Sequence, residues 1–586
     1  MKTPASTSAP VSYRIEVNDI HAHLFNVTLT IAQPLAVQRV SLPVWIPGSY
    51  LVREFAKNLQ HLKAQQGRTL LNATQLDKCT LQIACNPSKP LVLRYQIYAH
   101  DNSVRTAWLD SKRGFFNSTS VCLKVESQEK SLHLLEVTEP AKTKGWSVAT
   151  GLNVQKINKQ GFGTYSAANY DELVDCPVEL GEFWSGTFTA CGVPHRFVVA
   201  GALRGFDGAK LLADTQKICE EEIRFWHGNK KPPFANYLFM LNAVDDGYGG
   251  LEHRNSTALI CNRKDLPRLN ELKVSEGYTT LRGLISHEYF HTWNVKRLRP
   301  AEFETYDYTQ ENYTELLWFF EGFTSYYDDL LLRRSSLLDN PGYFKLLNKT
   351  INQVMQTPGR QVQSVAEASF DAWVKYYRQD ENTPNTTVSY YTKGALVALC
   401  FDLTLRREGH TTLDEVMRAL WLRCKAGPMR EADFADVLQA LGKRSFDSEL
   451  KSWVHGKTEL PLRTLLEQHG VTVHDDPAQL AQRLGLRVNE TQGVVVKTVL
   501  SGGAAEKAGF AAGDEWLGIE ALKQPDGWRM QRLDDLLLYA GTAKKVIALV
   551  ARDKRLIRLE LTIPPPATTW RLAVKDAAKV DAWLAK

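Results

Sequence analysis

His287-Glu288-Tyr289-Phe290-His291 sets two imidazoles four residues apart, with a carboxylate directly after the first. On an α-helix, residues i and i+4 share one face, so both rings can reach one metal ion. Glu288 then stands beside that metal, where a carboxylate can take a proton from water. Two ligands plus a general base is the pattern of zinc hydrolases. A catalytic zinc takes three protein ligands and keeps one position open. The third should come from a separate helix or loop, and Glu321 is the best candidate. It is the lone acid in Leu316-Leu317-Trp318-Phe319-Phe320-Glu321-Gly322-Phe323-Thr324. A carboxylate there is costly to bury unless it is paired or metal-bound. Leu281, Leu284, Ile285, Tyr289, Phe290 and Trp293 leave the histidine helix apolar on most sides, as in a buried helix rather than a solvated one.

The elements that must position these groups fall into three stretches, an α+β multidomain chain. Residues 1–190 form a β-rich N-terminal domain. Tyr13–Val17, Leu24–Thr30 and Leu91–Ile97 alternate or are rich in β-branched residues, with turn residues between them. Residues 191–465 carry the motif. Strands are expected at Arg196–Ala200, Tyr237–Asn242 and Ser256–Cys261, with a helix near Lys210–Trp226 and a loop over Asp245–His253. Helices dominate from Gly277, and Leu316, Phe320, Phe323, Tyr327 and Leu330 follow helical spacing. Residues 466–586 return to mixed structure. Strands are expected at Gly493–Val499, Lys545–Val550 and Leu556–Leu561, and helices at Ala504–Gly509 and Arg532–Ala540.

The bulk properties exclude several classes. The chain has 586 residues, enough for three or four domains that each bury a core. Its net charge of +6 is small for that length and offers no reason to propose a nucleic acid or an anionic membrane as partner. No apolar run approaches the ~18 residues of a membrane span. The start, MKTPASTSAPVSYRIEV, lacks an apolar signal region, so a cytoplasmic location is expected. The nine cysteines are scattered, without a C-x-x-C pair, and read as isolated thiols.

With these residues in place the chain resembles the M61 peptidases, the glycyl aminopeptidases, within the gluzincin clan. The resemblance rests on HEYFHTWN, ELLWFFEGFTSYYDDL and SYYTKGALV in that order. The segment PVWIPGSYLVREF adds the family's β-rich N-terminal domain, and GGLEH resembles the G-A-M-E-N exopeptidase motif of the related M1 enzymes. In those enzymes the third ligand follows after a short fixed gap, whereas 29 residues separate His291 from Glu321 here. The M61 pattern accepts the longer insertion. The resemblance implies a thermolysin-like, mostly helical zinc-peptidase domain over 191–465. It implies one Zn²⁺ per chain on His287, His291 and Glu321, with Glu288 as base. Tyr391 matches the tyrosine that donates to the oxyanion, with its neighbour Tyr390 the alternative. Glu252 matches the acid that holds a free α-amino group, and Gly249 and Gly250 permit close approach of a peptide backbone.

The expected activity is hydrolysis of the first peptide bond of substrates with a free N-terminus, with the family's preference for glycine and alanine. The stretch 475–565 resembles a circularly permuted PDZ domain, with Leu484-Gly485-Leu486 as its carboxylate loop and a C-terminal peptide as its partner. Two alternatives remain open: a zinc endopeptidase fed through the PDZ groove, and a PDZ scaffold that has lost catalysis. The intact Glu288 and full ligand set speak against the last.

Overall fold

The computed structural model describes residues 10–141, 143–522 and 526–585. It has a β-rich N-terminal domain and a helical C-terminal region, and its chain divides into two compact units. The first runs to Asn312 and takes in Cys424–Met429; the second holds Tyr313–Arg423 and Arg430–Lys586.

The first unit begins with an eight-stranded sheet. Val11–Asp19 lies at its centre, antiparallel to Leu24–Ile31 and parallel to His133–Val137. Alternation explains the pairing: Val11, Tyr13 and Ile15 point into the core with Phe25, Val27, Leu29, Leu91, Leu93 and Ile97, and their neighbours face outward. Two four-stranded sheets pack around the same core.

A five-stranded sheet follows in the same unit, in the spatial order Phe183–Ala190, Val193–Ala200, Tyr237–Val244, Ser256–Asn262 and Gly249–Glu252. The three middle strands are parallel, and their run of buried apolar residues is what a sheet covered on both faces requires. Helices Gly208–His227 and Glu276–Phe290 accompany it. One expectation changes here. The stretch Asp245–His253, read as a loop, contains the strand Gly249–Glu252, antiparallel to Ser256–Asn262 at the sheet's edge. Two glycines conceal it in the sequence, because glycine has a low strand propensity and only the neighbouring strand holds it extended.

In the second unit the apolar run becomes two helices, Leu317–Phe320 and Gly322–Arg334. They meet at Glu321, whose backbone bonds to Leu317 and Ser325 keep the turn helical. Thr392–Glu408 crosses Gly322–Arg334 closely. A Cβ on Gly322 would lie 2.5 Å from Gly394 Cα, and one on Gly394 would lie 2.6 Å from the Trp318 carbonyl. Both glycines are therefore required by backbone contact. The C-terminal sheet runs Leu486–Asn489, Val494–Val499, Glu515–Ala521, Lys545–Arg552 and Arg555–Thr562, around a core of its own. This module hangs from a two-stranded ribbon, Val471–Pro477 with Thr568–Val574. After the ribbon, helix Ala577–Leu584 returns to the helical region and buries Trp583 against Tyr343 and Phe344. Among the described residues, no helix is long and apolar enough to cross a membrane.

Candidate active site

Helix Glu276–Phe290 starts where Ser275 caps it, its hydroxyl accepting from the Tyr278 amide, with Glu276 in the first turn. Its rotation is set by polar contacts as well as by its apolar face. Tyr278 donates to Asp214 at 3.0 Å, Ser286 to Glu222 at 3.0 Å, and the Trp293 indole to His227 at 2.7 Å. The Tyr289 hydroxyl donates to His195 Nε2 at 2.8 Å, because His195 Nδ1 is committed to the Val193 carbonyl. With Tyr289 held on the sheet side, His287 and His291 lie together, their rings 4.6 Å apart.

His291 Nδ1 lies 2.8 Å from the Asn294 carbonyl and must donate to it, which leaves the lone pair on Nε2. That lone pair lies 3.0 Å from His287 Nε2. A single cation, proton or metal, suits two ring nitrogens so placed. The turn behind them is strained. Val295 adopts φ +136°, which a β-branched residue rarely does and which costs ~1–3 kcal/mol. The strain sits next to the carbonyl that orients His291.

Glu288 and Glu252 are both buried, and together with His291 they present ligand-type atoms within 4.8 Å of one another. The close approach is built in by glycine. A Cβ at Gly250 would lie 2.1 Å from Glu288 Oε1, and a Cβ at Gly48 would lie 2.5 Å from Glu252 Oε1. Gly48, at φ +91°, belongs to the PVWIPGSY segment of the β-rich domain, which thereby forms one wall beside Glu252. Its proximity was invisible in the sequence, since 203 positions separate the two residues.

Behind Glu252 sits an ion cluster. Lys296 Nζ is 2.7 Å from Asp175 Oδ1, and His253 Nδ1 is 3.2 Å from the same oxygen. Burial opposes ionisation of Asp175, but Lys296 and Arg254 overcome it and hold its carboxyl well below the usual range. Burial likewise works against the charge on Lys296, and Asp175 more than restores it.

The second unit presents its own set. Glu321 is 2% exposed. The Tyr391 ring stacks on Tyr390 and Tyr376, and its hydroxyl lies 3.4 Å from that of Tyr377. Burial first, then the nearby Glu321 charge, pushes the Tyr391 hydroxyl well above its ordinary pKa, so it stays protonated. Tyr390 is fully buried, while Tyr391 keeps partial exposure at the start of helix Thr392–Glu408. Leu484 and Leu486 are buried, and Gly485 at φ +73° turns the chain into the edge strand Leu486–Asn489. Sequence reasoning missed Gly48, Asn294 and Arg105, whose Nη2 donates to the Gly250 carbonyl at 2.9 Å.

The chain is similar to known proteins. The family model of the M61 glycyl aminopeptidases matches residues 280–397, and that of the M61 N-terminal domain matches 12–182. The crystal structure of an aminopeptidase N family protein from Idiomarina loihiensis is 38% identical and superposes with a TM-score of 0.93. That match covers 98% of this chain and all of the other. An M1 zinc metallopeptidase from Deinococcus radiodurans is more distant, at 15% identity and a TM-score of 0.47 over 78% of this chain and 95% of its own. No curated protein matches the chain. The HEYFH helix, the Glu321 helix and the β-rich wall beside Glu252 all lie within segments those family models describe or the 38%-identical relative shares: the chain belongs to the M61 peptidase family and is a metallopeptidase.

Proposed function

We propose that the protein is a zinc aminopeptidase that removes the first residue from peptides with a free N-terminus, preferring glycine and alanine. One zinc per chain would be held by His287, His291 and Glu321. The observation that carries this reading is the pair of ring nitrogens 3.0 Å apart, with His291 fixed in the ligating tautomer by Asn294. Glu321 supports it as a buried carboxylate in an apolar helix, where ionisation calls for a cation. Zinc supplies a Lewis acid that polarises the scissile carbonyl and brings the pKa of a coordinated water toward ~7.

The chain's own residues do the rest. Glu288 accepts a proton from the attacking water and returns it to the leaving amine. Glu252 pairs with the ammonium of the substrate's N-terminal residue. Fixing the ammonium fixes the register, so only the first peptide bond reaches Glu288. Tyr391 donates to the oxyanion. It is favoured over Tyr390 because a hydroxyl buried in the core cannot meet substrate. Gly249 and Gly250 let the substrate backbone lie along the edge strand. The preference for small residues follows family membership. The test is metal analysis together with hydrolysis of glycyl-, alanyl- and leucyl-anilides, with and without N-acetylation. Zinc near one per chain and inert acetylated substrates are expected. Efficient cleavage of acetylated peptides would instead favour an endopeptidase.

The C-terminal module is proposed to be a PDZ domain that takes peptide C-termini by strand addition. The supporting observation is the edge strand Leu486–Asn489 directly after the Leu484-Gly485 turn, where Gly485 O accepts from Leu500 N. Binding of apolar-ended peptides that is lost on C-terminal amidation would support it.

A further inference from the structure

We infer that Arg105 binds the C-terminal carboxylate of short peptide substrates and so biases the enzyme toward di- and tripeptides. This rests on the aminopeptidase reading above. Arg105 comes from the β-rich domain and reaches the edge strand of the five-stranded sheet. Its Nη2 donates to the Gly250 carbonyl at 2.9 Å, and its Nη1 lies 3.6 Å from where a Cβ of Gly249 would be.

Order along that strand gives Arg105 its role. Glu252, at one end, is the ammonium anchor. Glu288 abuts Gly250, so the cleaved bond lies there. Gly249 and Arg105 then lie on the side of the leaving residues. Three residue steps from Glu252 to Gly249 span about 10 Å. An extended di- or tripeptide spans about 7–10 Å from ammonium to carboxylate. Acid at one end and guanidinium at the other match both termini of such a substrate.

Two further observations support a binding role. Among the described residues no carboxylate pairs with Arg105, and its Nε is buried without a hydrogen-bond partner. A guanidinium so left has donors to offer an anion, and bonds to a carboxylate are charge-assisted. The loop that carries it is also held in place. The buried Asn117 amide donates to the carbonyls of Val104 and Thr106, at 2.8 and 3.3 Å. Asn102 accepts from Asn242 at 2.8 Å, which ties the loop to the sheet. A preorganised cation loses little freedom on binding.

The experiment compares kcat/KM for Gly-Ala and for its C-terminal amide, Gly-Ala-NH2, in the wild type, Arg105→Ala and Arg105→Lys. Zinc content and thermal midpoint are measured for each. The wild type should prefer the free acid by about 10- to 100-fold, the worth of a charge-assisted hydrogen bond. Arg105→Ala should bring that ratio near one, chiefly through KM for the free acid, and Arg105→Lys should recover part of it. A wild-type ratio near one would overturn the inference, and that measurement stands even if Arg105→Ala does not fold. So would an unchanged ratio in Arg105→Ala with both substrates slowed alike, which would mark the arginine as a structural cap on Gly250. N-acetyl-Gly-Ala separates the two readings: its cleavage would sink the aminopeptidase assignment, whereas the ratio tests Arg105.

Discussion

At the residue scale, the proposed function divides the HEYFH motif into two ligands, His287 and His291, and a base, Glu288, and single substitutions separate these roles. His291→Ala should lose both zinc and activity, read by metal analysis and anilide hydrolysis; full zinc occupancy would refute the ligand role. Glu288→Gln should keep the metal and lose at least ~100-fold in kcat, because an amide accepts no proton. The proximity of Glu288 to Glu252 and His291 makes this a real test, since those three could themselves hold a cation. Loss of zinc in Glu288→Gln would make Glu288 a ligand. Gly250→Ala bears on position alone. Its Cβ would overlap the Glu288 carboxylate, so the base must move. A displacement near 1 Å costs about 100-fold in rate, with zinc retained. Wild-type kcat in this variant would show that Glu288 tolerates the shift.

At the element scale, one device fixes the position of Tyr391 and a second couples the first unit to pH. The crossing of helices Gly322–Arg334 and Thr392–Glu408 has no room for a methyl group at Gly322 or Gly394. Gly394→Ala should cost ~1–3 kcal/mol and shift Tyr391, lowering both the thermal midpoint and kcat. An unaffected midpoint would show that the helices separate freely. The second device is the set of histidines buried neutral in the first unit. Burial lowers His195 and His133 to about 4 from an ordinary value near 6.5. Between these values the unfolded chain binds more protons than the folded one. Their contribution is therefore complete above pH 6.5 and is lost as pH falls toward 4. Each should cost about 1.4 kcal/mol per pH unit in that window. Urea midpoints that stay level from pH 6.5 to 4.5 would contradict this. Much of the element scale was legible beforehand. The alternation of 11–17, 24–30 and 91–97 identifies strands because one face of each is buried and the other is not. Gly249–Glu252 was not legible, because its extended form comes from Ser256–Asn262 rather than from its own side chains.

At the scale of the whole molecule, the C-terminal module is an insertion rather than an end. The ribbon strands and helix Ala577–Leu584 belong with the helical region. Asn352 receives the Thr569 hydroxyl at 2.6 Å and donates to the Trp570 carbonyl at 2.8 Å, and Trp583 lies in an aromatic cluster with Tyr343 and Phe344. Excising residues 478–567 and rejoining the ribbon with a short turn should leave a soluble zinc enzyme with anilide activity within a few-fold of the full chain. A stop at residue 470 should instead give an insoluble or unfolded product, because it removes the buried Trp583. Burying an aromatic of that size contributes ~3–5 kcal/mol. An active protein ending at 470 would show that the tail is dispensable.

The sequence by itself determined the chemistry that local spacing encodes. Residues i, i+1 and i+4 of one helix place His287, Glu288 and His291 by backbone geometry alone, and a lone acid in an apolar helix singles out Glu321 by the cost of burying it. Tertiary structure decided everything that depends on residues far apart in the chain meeting. Gly48 against Glu252, Arg105 on Gly250, and the return of Trp583 to the helical core follow from sheet order and packing, which no local period records. The choice between Tyr390 and Tyr391 belongs with these. Adjacent residues of one type look alike in a sequence, and only packing buried Tyr390 in the core while leaving Tyr391 partly exposed.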